Sequence, residues 1–351
     1  MAPTLTVIVP LRDEARVLAR TLPSILAQDL EDVEFLLVDG RSTDGTQELV
    51  HRAAAEDRRI RVLDNPVQTL AGALQVGMAE ARGSMIAKMD AHTYFPAHYL
   101  SQAVERLARG DVHWVSGPAI PFGEGPGSQA VAAALGTRLG IGGSAKWPAS
   151  AHGGRLEEWE LDTGVFSGVI DRSTLERIGA WDPDWPVNED SELASRFLEA
   201  GERILCVGTM GARYVPREEL RGLARQWRRY GFYRVKTARR HPASMRPSHL
   251  LPSALVLVLA GALCAPAPLR PPAQLGLAAY GAALAYGTAT APGAVPGAAW
   301  RLPSSFAVMH LGFGFGWLAG CVRFGVPIQA LWRIARRRSG RWGDAACALG
   351  G

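Results

Sequence analysis

The stretch Leu5–Asp39, "LTVIVPLRDEARVLARTLPSILAQDLEDVEFLLVD", decides the fold class. Its first six residues, "LTVIVP", form a short β-branched apolar run closed by proline, the pattern of a buried strand. "ARVLARTLPSILAQ" (15–28) then places apolar residues at helical spacing. "EFLLVD" (34–39) is a second apolar run that ends in an acid. Strand, helix and strand in this order predict a parallel pair joined by a crossover helix.

The alternation continues downstream. "STDGTQELVHRAAAE" (42–56) opens with capping residues and reads as a helix. "IRVLDN" (60–65) is a third strand, "LAGALQVGMAEA" (70–81) a helix, "SMIAKMD" (84–90) a fourth strand, "YLSQAVERLA" (99–108) a helix and "HWVSG" (113–117) a fifth strand. The expected class is α/β, a mainly parallel, Rossmann-like sheet with helices on both faces. Such sheets bind ligands outside the carboxyl ends of their strands. Four successive ends carry Pro10-Leu11-Arg12-Asp13-Glu14, Asp39, Asp64-Asn65 and Asp90-Ala91-His92. Polar residues are common where loops begin, but an acid at all four ends points to a shared pocket. No GxGxxG follows the first strand, so a dinucleotide site of the usual kind is not expected. Asp90 and His92 supply a carboxylate and an imidazole, both competent ligands for Mn²⁺ or Mg²⁺. A nucleotide diphosphate would complete the coordination.

Composition is uneven over the 351 residues. The net charge is +5, and between Arg217 and Arg246 ten Arg/Lys face two Glu. Residues 250–326 hold almost no acid or lysine and are rich in Ala, Leu, Gly and Pro. A basic band beside apolar segments suggests a membrane surface with anionic lipids. No nucleic-acid-binding motif is recognisable, so nucleic acid is not an expected partner. Cys206, Cys264, Cys321 and Cys347 are widely spaced, without metal-ligand spacing or a disulfide framework. "MAPTLTVIVP" reads as a first strand and not as a signal peptide.

"VIVPLRDE", "LLVDGRSTDGT", "AKMDAH", "NEDSEL" and "RQWRRYGFYRVKTARRHP" follow one another in this order. Together they resemble glycosyltransferase family 2, in the branch of membrane-bound bacterial enzymes that includes the succinoglycan-biosynthesis glucosyltransferase. The resemblance implies a GT-A fold and a nucleotide-sugar donor, usually UDP-linked. It places Asp39 at the base, with Pro10, Arg12 and Glu14 nearby, and Asn65 at the third strand end joins them in the expected nucleotide site. Asp90 would approach ribose and metal, and His92 would bind the metal where most of the family has Asp. Metal binding should then weaken at acid pH, because a protonated imidazole cannot ligate. Gln75 stands where the family more often has Asn.

In "NEDSELASRFLEAG", Asn188 is a suitable N-cap and Gly201 a suitable stop. Glu189 and Asp190 then fall in the first turn, where the helix dipole favours ionised carboxylates. First-turn acids are ordinary capping residues. The resemblance makes Asp190 the catalytic base and Glu189 a supporting or acceptor-binding group. Gln226, Arg229 and Tyr230 resemble the family's Q-x-x-R-W signature and would border acceptor or diphosphate. An amphipathic helix lying on a membrane would show the same Arg and aromatic mix.

Three apolar stretches, Leu250–Pro266, Ala273–Ala291 and Pro303–Val322, approach the ~20 residues that span a bilayer. Three crossings would put the basic "RIARRRSGRW" opposite the catalytic domain, against the positive-inside rule. His310 lies within the third stretch and is expected to be packed and hydrogen-bonded. The organisation expected is a catalytic domain over 1–216, a basic amphipathic interface region over 217–248, membrane helices over 249–326 and a basic tail over 327–351.

The resemblance implies an inverting, metal-dependent transfer of a hexose to a hydroxyl of a polyprenyl diphosphate-linked glycan. The enzyme would be a multi-pass protein of the bacterial inner membrane with a cytoplasmic catalytic domain. A polyprenyl phosphate acceptor, a nucleotide-binding membrane scaffold and a nucleotidyltransferase are the rival readings.

Overall fold

The computed structural model describes residues 3–147, 157–162, 164–264, 266–293, 295 and 297–336. The chain divides into two units. One holds residues 1–124 and 144–216, the other residues 125–143 and those from 217 onward.

In the first unit, β1 (Leu5–Leu11), α1 (Ala15–Leu26), β2 (Val33–Asp39), α2 (Thr46–Glu56), β3 (Ile60–Asp64), α3 (Leu70–Glu80) and β4 (Met85–Lys88) follow the sequence expectation closely. β5 (Thr93–Tyr94), α4 (Tyr99–Leu107), β6 (Trp114–Ser116) and β7 (Ala119–Pro121) come next. Beyond residue 144 lie β8 (Glu158–Glu160), β9 (Gly168–Asp171), α7 (Arg172–Ile178), α8 (Glu189–Glu199), β10 (Ile204–Val207) and β11 (Ala212–Tyr214). The large sheet has the order β3-β2-β1-β4-β9-β6-β10-β8, and β5-β11-β7 form a small second sheet. β1 pairs in parallel with both β2 and β4. The order therefore reverses at β1, and the crevice between the ends of β1 and β4 is the expected ligand position. β9 enters antiparallel between β4 and β6, and β8 antiparallel beside β10. Neither strand was legible beforehand. Both are short, and β9 is an apolar run that begins with glycine.

The apolar runs are continuous because both faces of the sheet are covered. Leu5, Val7 and Val9 of β1 face one core with Phe35 and Leu37 of β2, while Ile8, Leu36 and Val38 face the other. Full burial of each such side chain contributes roughly 1.5–3 kcal/mol. On the second face α3 lies directly on β1, and a Cβ at Gly77 would stand 2.6 Å from Ile8 Cγ2.

In the second unit, α5 (Pro126–Leu135) and α6 (Arg138–Ile141) fold with α9 (Leu220–Arg240), α10 (Leu251–Cys264), α11 (Arg270–Thr290) and α12 (Ala298–Phe324). The expected amphipathic helix over the basic band is α9, but its apolar face is spent on protein. It packs against α12 so closely that a Cβ at Gly231 would lie 2.0 Å from Phe313 O, and one at Gly316 2.0 Å from Arg228 O. Among the described residues, two stretches are long and apolar enough to cross a membrane, Pro247–Cys264 and Ala299–Phe324. The expected middle span folds as α11 and falls short of that standard. It opens Arg-Pro-Pro and is built largely from Ala and Gly. His310 is packed as expected: Nδ1 is 3.0 Å from Tyr280 Oη and Nε2 3.0 Å from Leu139 O. The tail beyond Arg336, with Cys347, lies outside the described residues.

Candidate active site

The loops after β1 and β2 are wired together. Asp39, buried at the end of β2, accepts hydrogen bonds from the Ser42 amide at 3.1 Å, the Ser42 hydroxyl and Gln47 Nε2 at 2.8 Å. Ser42 Oγ in turn accepts from the Asp13 amide at 2.8 Å, and Asp13 Oδ1 accepts from the Thr43 amide at 2.9 Å. Asp44 accepts from the Ala15 amide at 2.9 Å and from Thr46. Burial opposes its charge, but the bonds from Thr46 and Ala15 outweigh it and hold its carboxyl below the usual range. With the Ser42 amide also 3.4 Å from Asp39 Oδ1, the bonds to Asp39 occupy the about four acceptor positions of a carboxylate.

The strand-end residues do not all converge. Pro10 sits opposite Val38 in the β1–β2 register. Arg12 is exposed and donates from Nη1 to Gln68 O at 2.6 Å. Asn65 is buried beside them. Its backbone amide donates to Asp39 O at 2.8 Å and Nδ2 to Thr69 O at 2.9 Å, while Oδ1 has no hydrogen-bond partner among the described residues. Asp64 leaves the expected shared pocket. Its side chain is 59% exposed and pairs with Arg41 at 3.2 Å. The physical reason is the two-residue period of a strand: Asp64 and Asn65 point to opposite sides.

At β4 the chain places a cation that the sequence reading passed over. Lys88 is 6% exposed, and its Nζ lies 2.6 Å from Asp190 Oδ2, 3.2 Å from Glu189 Oε1 and 3.4 Å from Asp90 Oδ1. Burial alone would drive the ammonium to lose its proton. Asp190, Asp90 and Glu189 together more than offset that, so its affinity for the proton is raised well above the ordinary lysine value. The signal was available in the sequence: a lysine inside the apolar strand "SMIAKMD" needs buried carboxylates.

The three acids differ. Burial opposes the charge of Asp90, but Lys88, His92 and Lys146 hold its carboxyl below the usual range. Ser167 Oγ stands 3.4 Å from its Oδ2. Glu189 goes the other way, against the helix-dipole expectation. Burial first, then repulsion from Asp190, push it up to about 7, although Lys88 pulls it down. Asn188 also departs from expectation. It holds the N-cap position of α8 in a left-handed conformation, φ 65°, and its side chain makes no capping bond. α8 is anchored elsewhere. Glu192, fully buried, pairs with Arg196 at 2.7 Å, and Arg196 Nη1 donates to Ile178 O at 2.7 Å. Gly201 follows the helix with φ +81°, as its assignment as a stop requires.

His92 stands edge-on to Tyr214, with ring centroids 5.3 Å apart. Its Nδ1 is buried, without a hydrogen-bond partner among the described residues, 3.7 Å from Glu14 Oε1. Gln226, Arg229 and Tyr230 belong to the second unit, on α9. Gln226 Nε2 donates to Tyr230 Oη at 3.1 Å, one turn on, and Arg229 is exposed.

The model described as "Glycosyl transferase family 2" matches residues 6–146. "Succinoglycan biosynthesis protein ExoA" of Rhizobium meliloti (strain 1021) is 30% identical over 236 residues, which are 67% of this chain and 69% of that protein. The chain belongs to glycosyltransferase family 2. A family-2 member with this sheet is a transferase that draws on a nucleotide-sugar donor. "Uncharacterized glycosyltransferase alr2836" of Nostoc sp. (strain PCC 7120) is 31% identical over 109 residues, 31% of this chain and 34% of that one. Among solved structures, mannosyltransferase PcManGT from Pyrobaculum calidifontis, in complex with GDP-Man and Mn²⁺, superposes with TM-score 0.57 at 22% identity. The likeness covers 88% of this chain and 86% of that one, and it shows the fold, which is GT-A.

Proposed function

We propose that the chain is an inverting glycosyltransferase that moves a hexose from a UDP-sugar to a hydroxyl of a polyprenyl diphosphate-linked glycan. The work would take place at the cytoplasmic membrane face, in cell-surface polysaccharide synthesis. The observation that carries the reading is the Lys88 cluster. It joins Asp90, assigned to nucleotide and metal, to Asp190, assigned as base and 100 positions on in sequence, within 3.4 Å of one ammonium.

Lys88 engages Oδ2 of Asp190, which leaves Oδ1 for an acceptor hydroxyl. Asp190 takes that proton, the hydroxyl oxygen bonds to the anomeric carbon, and the bond from that carbon to the diphosphate breaks with release of UDP. Inversion follows from a single displacement. Asn65 Oδ1, buried and without a partner among the described residues, is the acceptor assigned to the nucleotide. Glu189, with a carboxyl balanced near neutrality, supports Lys88 and Asp190.

Asp90 and His92 fit a divalent ion. The carboxylate is held ionised, and the imidazole has a buried nitrogen without a partner. Among the described residues no group of three His, Cys, Asp or Glu forms a ready cage. Oxygens from the donor diphosphate would complete the shell, the usual arrangement for Mg²⁺ and its relatives. When bound, the ion would offset charge on the leaving diphosphate. That PcManGT is in complex with GDP-Man and Mn²⁺ supports a divalent ion and makes GDP the competitor of UDP. Membrane attachment is supported by the two apolar stretches and by the eight cations of α9, suited to anionic lipids.

Calorimetric titration of UDP and GDP into the purified protein, with and without Mn²⁺, tests the site. Binding of UDP that needs Mn²⁺ and disappears in Asp90→Ala is the expected result. Metal-independent binding, or a preference for GDP, sinks the donor assignment. Wild-type turnover distinguishes an enzyme from a nucleotide-binding scaffold. Release of pyrophosphate in place of UDP would mark a nucleotidyltransferase.

A further inference from the structure

Helices α9 and α12 run side by side in the same direction at backbone contact. Ala224 lies against Gly312, Arg228 against Gly316 and Phe232 against Gly320. Where α12 ends, the Arg239 guanidinium lies against Gly325. α9 carries eight Arg or Lys residues and no acid. Six of them, Arg221, Arg225, Arg228, Arg229, Arg239 and Arg240, are exposed. A helix so charged has no place in hydrocarbon, where no water solvates it. The second half of α12 must stay where α9 stays, because any sliding apart would break glycine-to-carbonyl contacts that leave no gap.

The first half of α12 is tied in the same way. His310 Nε2 meets Leu139 O of α6 at 3.0 Å. Within its apolar stretch, 44% of α12 is buried by protein, against 11% for the stretch that contains α10. α10 and α11 differ from it in burial, although the start of α10 meets α12 where Gly314 lies against Pro252 O. They pack on one another through Gly261 against Ala273 and Gly276 against Val258. Their Leu257, Leu263 and Leu275 point outward, and the only charged residue in either helix is Arg270, at the turn between them.

We infer that α12 lies beside α9 in the head-group layer without crossing the bilayer, and that the α10–α11 hairpin is the part that enters the hydrocarbon. The inference rests on the membrane attachment proposed above. The chain then leaves the membrane on the face where it entered. Arg333 and Arg336 fall on the side of α9, as the positive-inside rule asks, and the conflict created by three crossings disappears.

Cysteine labelling of the full-length protein tests this. Cys206 is replaced by Ala and Cys264, Cys321 and Cys347 by Ser, and single cysteines are placed at Ala299, in the first turn of α12, and at Ala335, beyond its end, both small exposed residues. Arg58→Cys, exposed in the first unit, marks the cytoplasmic side. A membrane-impermeant maleimide is applied to inverted vesicles and to intact spheroplasts, with SDS-solubilised samples as the reactivity control. All three sites are expected to label in inverted vesicles and to stay unlabelled in spheroplasts. Labelling of Ala299→Cys and Ala335→Cys from opposite faces overturns the inference and leaves membrane attachment standing. Protection of either site from both faces overturns it too, since that site would lie in hydrocarbon. Wild-type protein that remains soluble after ultracentrifugation overturns the inference together with the membrane reading.

Discussion

The two units use apolar residues in opposite ways. In the first, the runs of β1 and β2 are sealed between two cores, and the buried cation Lys88 is held by three carboxylates. In the second, Leu257, Leu263 and Leu275 stay exposed, while the basic helix α9 gives its apolar face to α12. The difference teaches that apolar composition alone does not say what a segment faces. Burial in protein demands partners for every charge, whereas an outward apolar face demands a different solvent.

The sharpest way to break this comparison is at the cluster. Asp190→Asn is expected to lower kcat by about 10²–10⁴-fold, the usual worth of a positioned base, with UDP binding retained. A drop of less than tenfold, read as UDP release, would point to an acceptor that is already ionised, such as a polyprenyl phosphate. Lys88→Met leaves buried carboxylates without their cation and should cost about 3–5 kcal/mol of stability, measured by urea unfolding. Lys88→Arg should recover part of it. A silent Lys88→Met would show that the cluster is not held as described.

In the second unit, Gly231→Ala drives a methyl into Phe313 O and should cost about 1–3 kcal/mol. Gly281→Ala, with nothing within 4 Å, is the matched control and should be neutral or slightly stabilising. Equal effects at the two positions would deny the close α9–α12 contact.

Glu189 offers a pH test. Its folded carboxyl, near 7, binds a proton more tightly than the unfolded one, near 4.5. The stability it contributes is complete below about 4.5 and is lost as pH rises through about 7. Melting temperatures of the wild type should carry that fall, and Glu189→Gln should flatten it. The smallest effect is expected at Asp64→Asn. This exposed, paired residue should leave UDP affinity unchanged, and a loss would return Asp64 to the site.

Much of the first unit was legible because its signals are local. Short continuous apolar runs and 3.6-residue spacing placed β1 to β4 and their helices, and the ordered motifs put Asp90, His92, Glu189 and Asp190 in view. Asn188 and Glu189 misled for a local reason. First-turn residues usually cap and ionise, but here Asn188 is left-handed and Glu189 is buried against Lys88 of β4.

The sequence by itself determined the α/β class, the family and the residue types that a nucleotide-sugar site needs, because each is written in short contiguous runs. Only the tertiary structure decided that Lys88 joins Asp90 to Asp190, that β9 runs antiparallel between β4 and β6, and that α12 is sheathed by a cationic helix. Those facts depend on contacts between residues some 50 to 100 positions apart, and no local periodicity encodes which distant partner a buried charge or a bare glycine will meet.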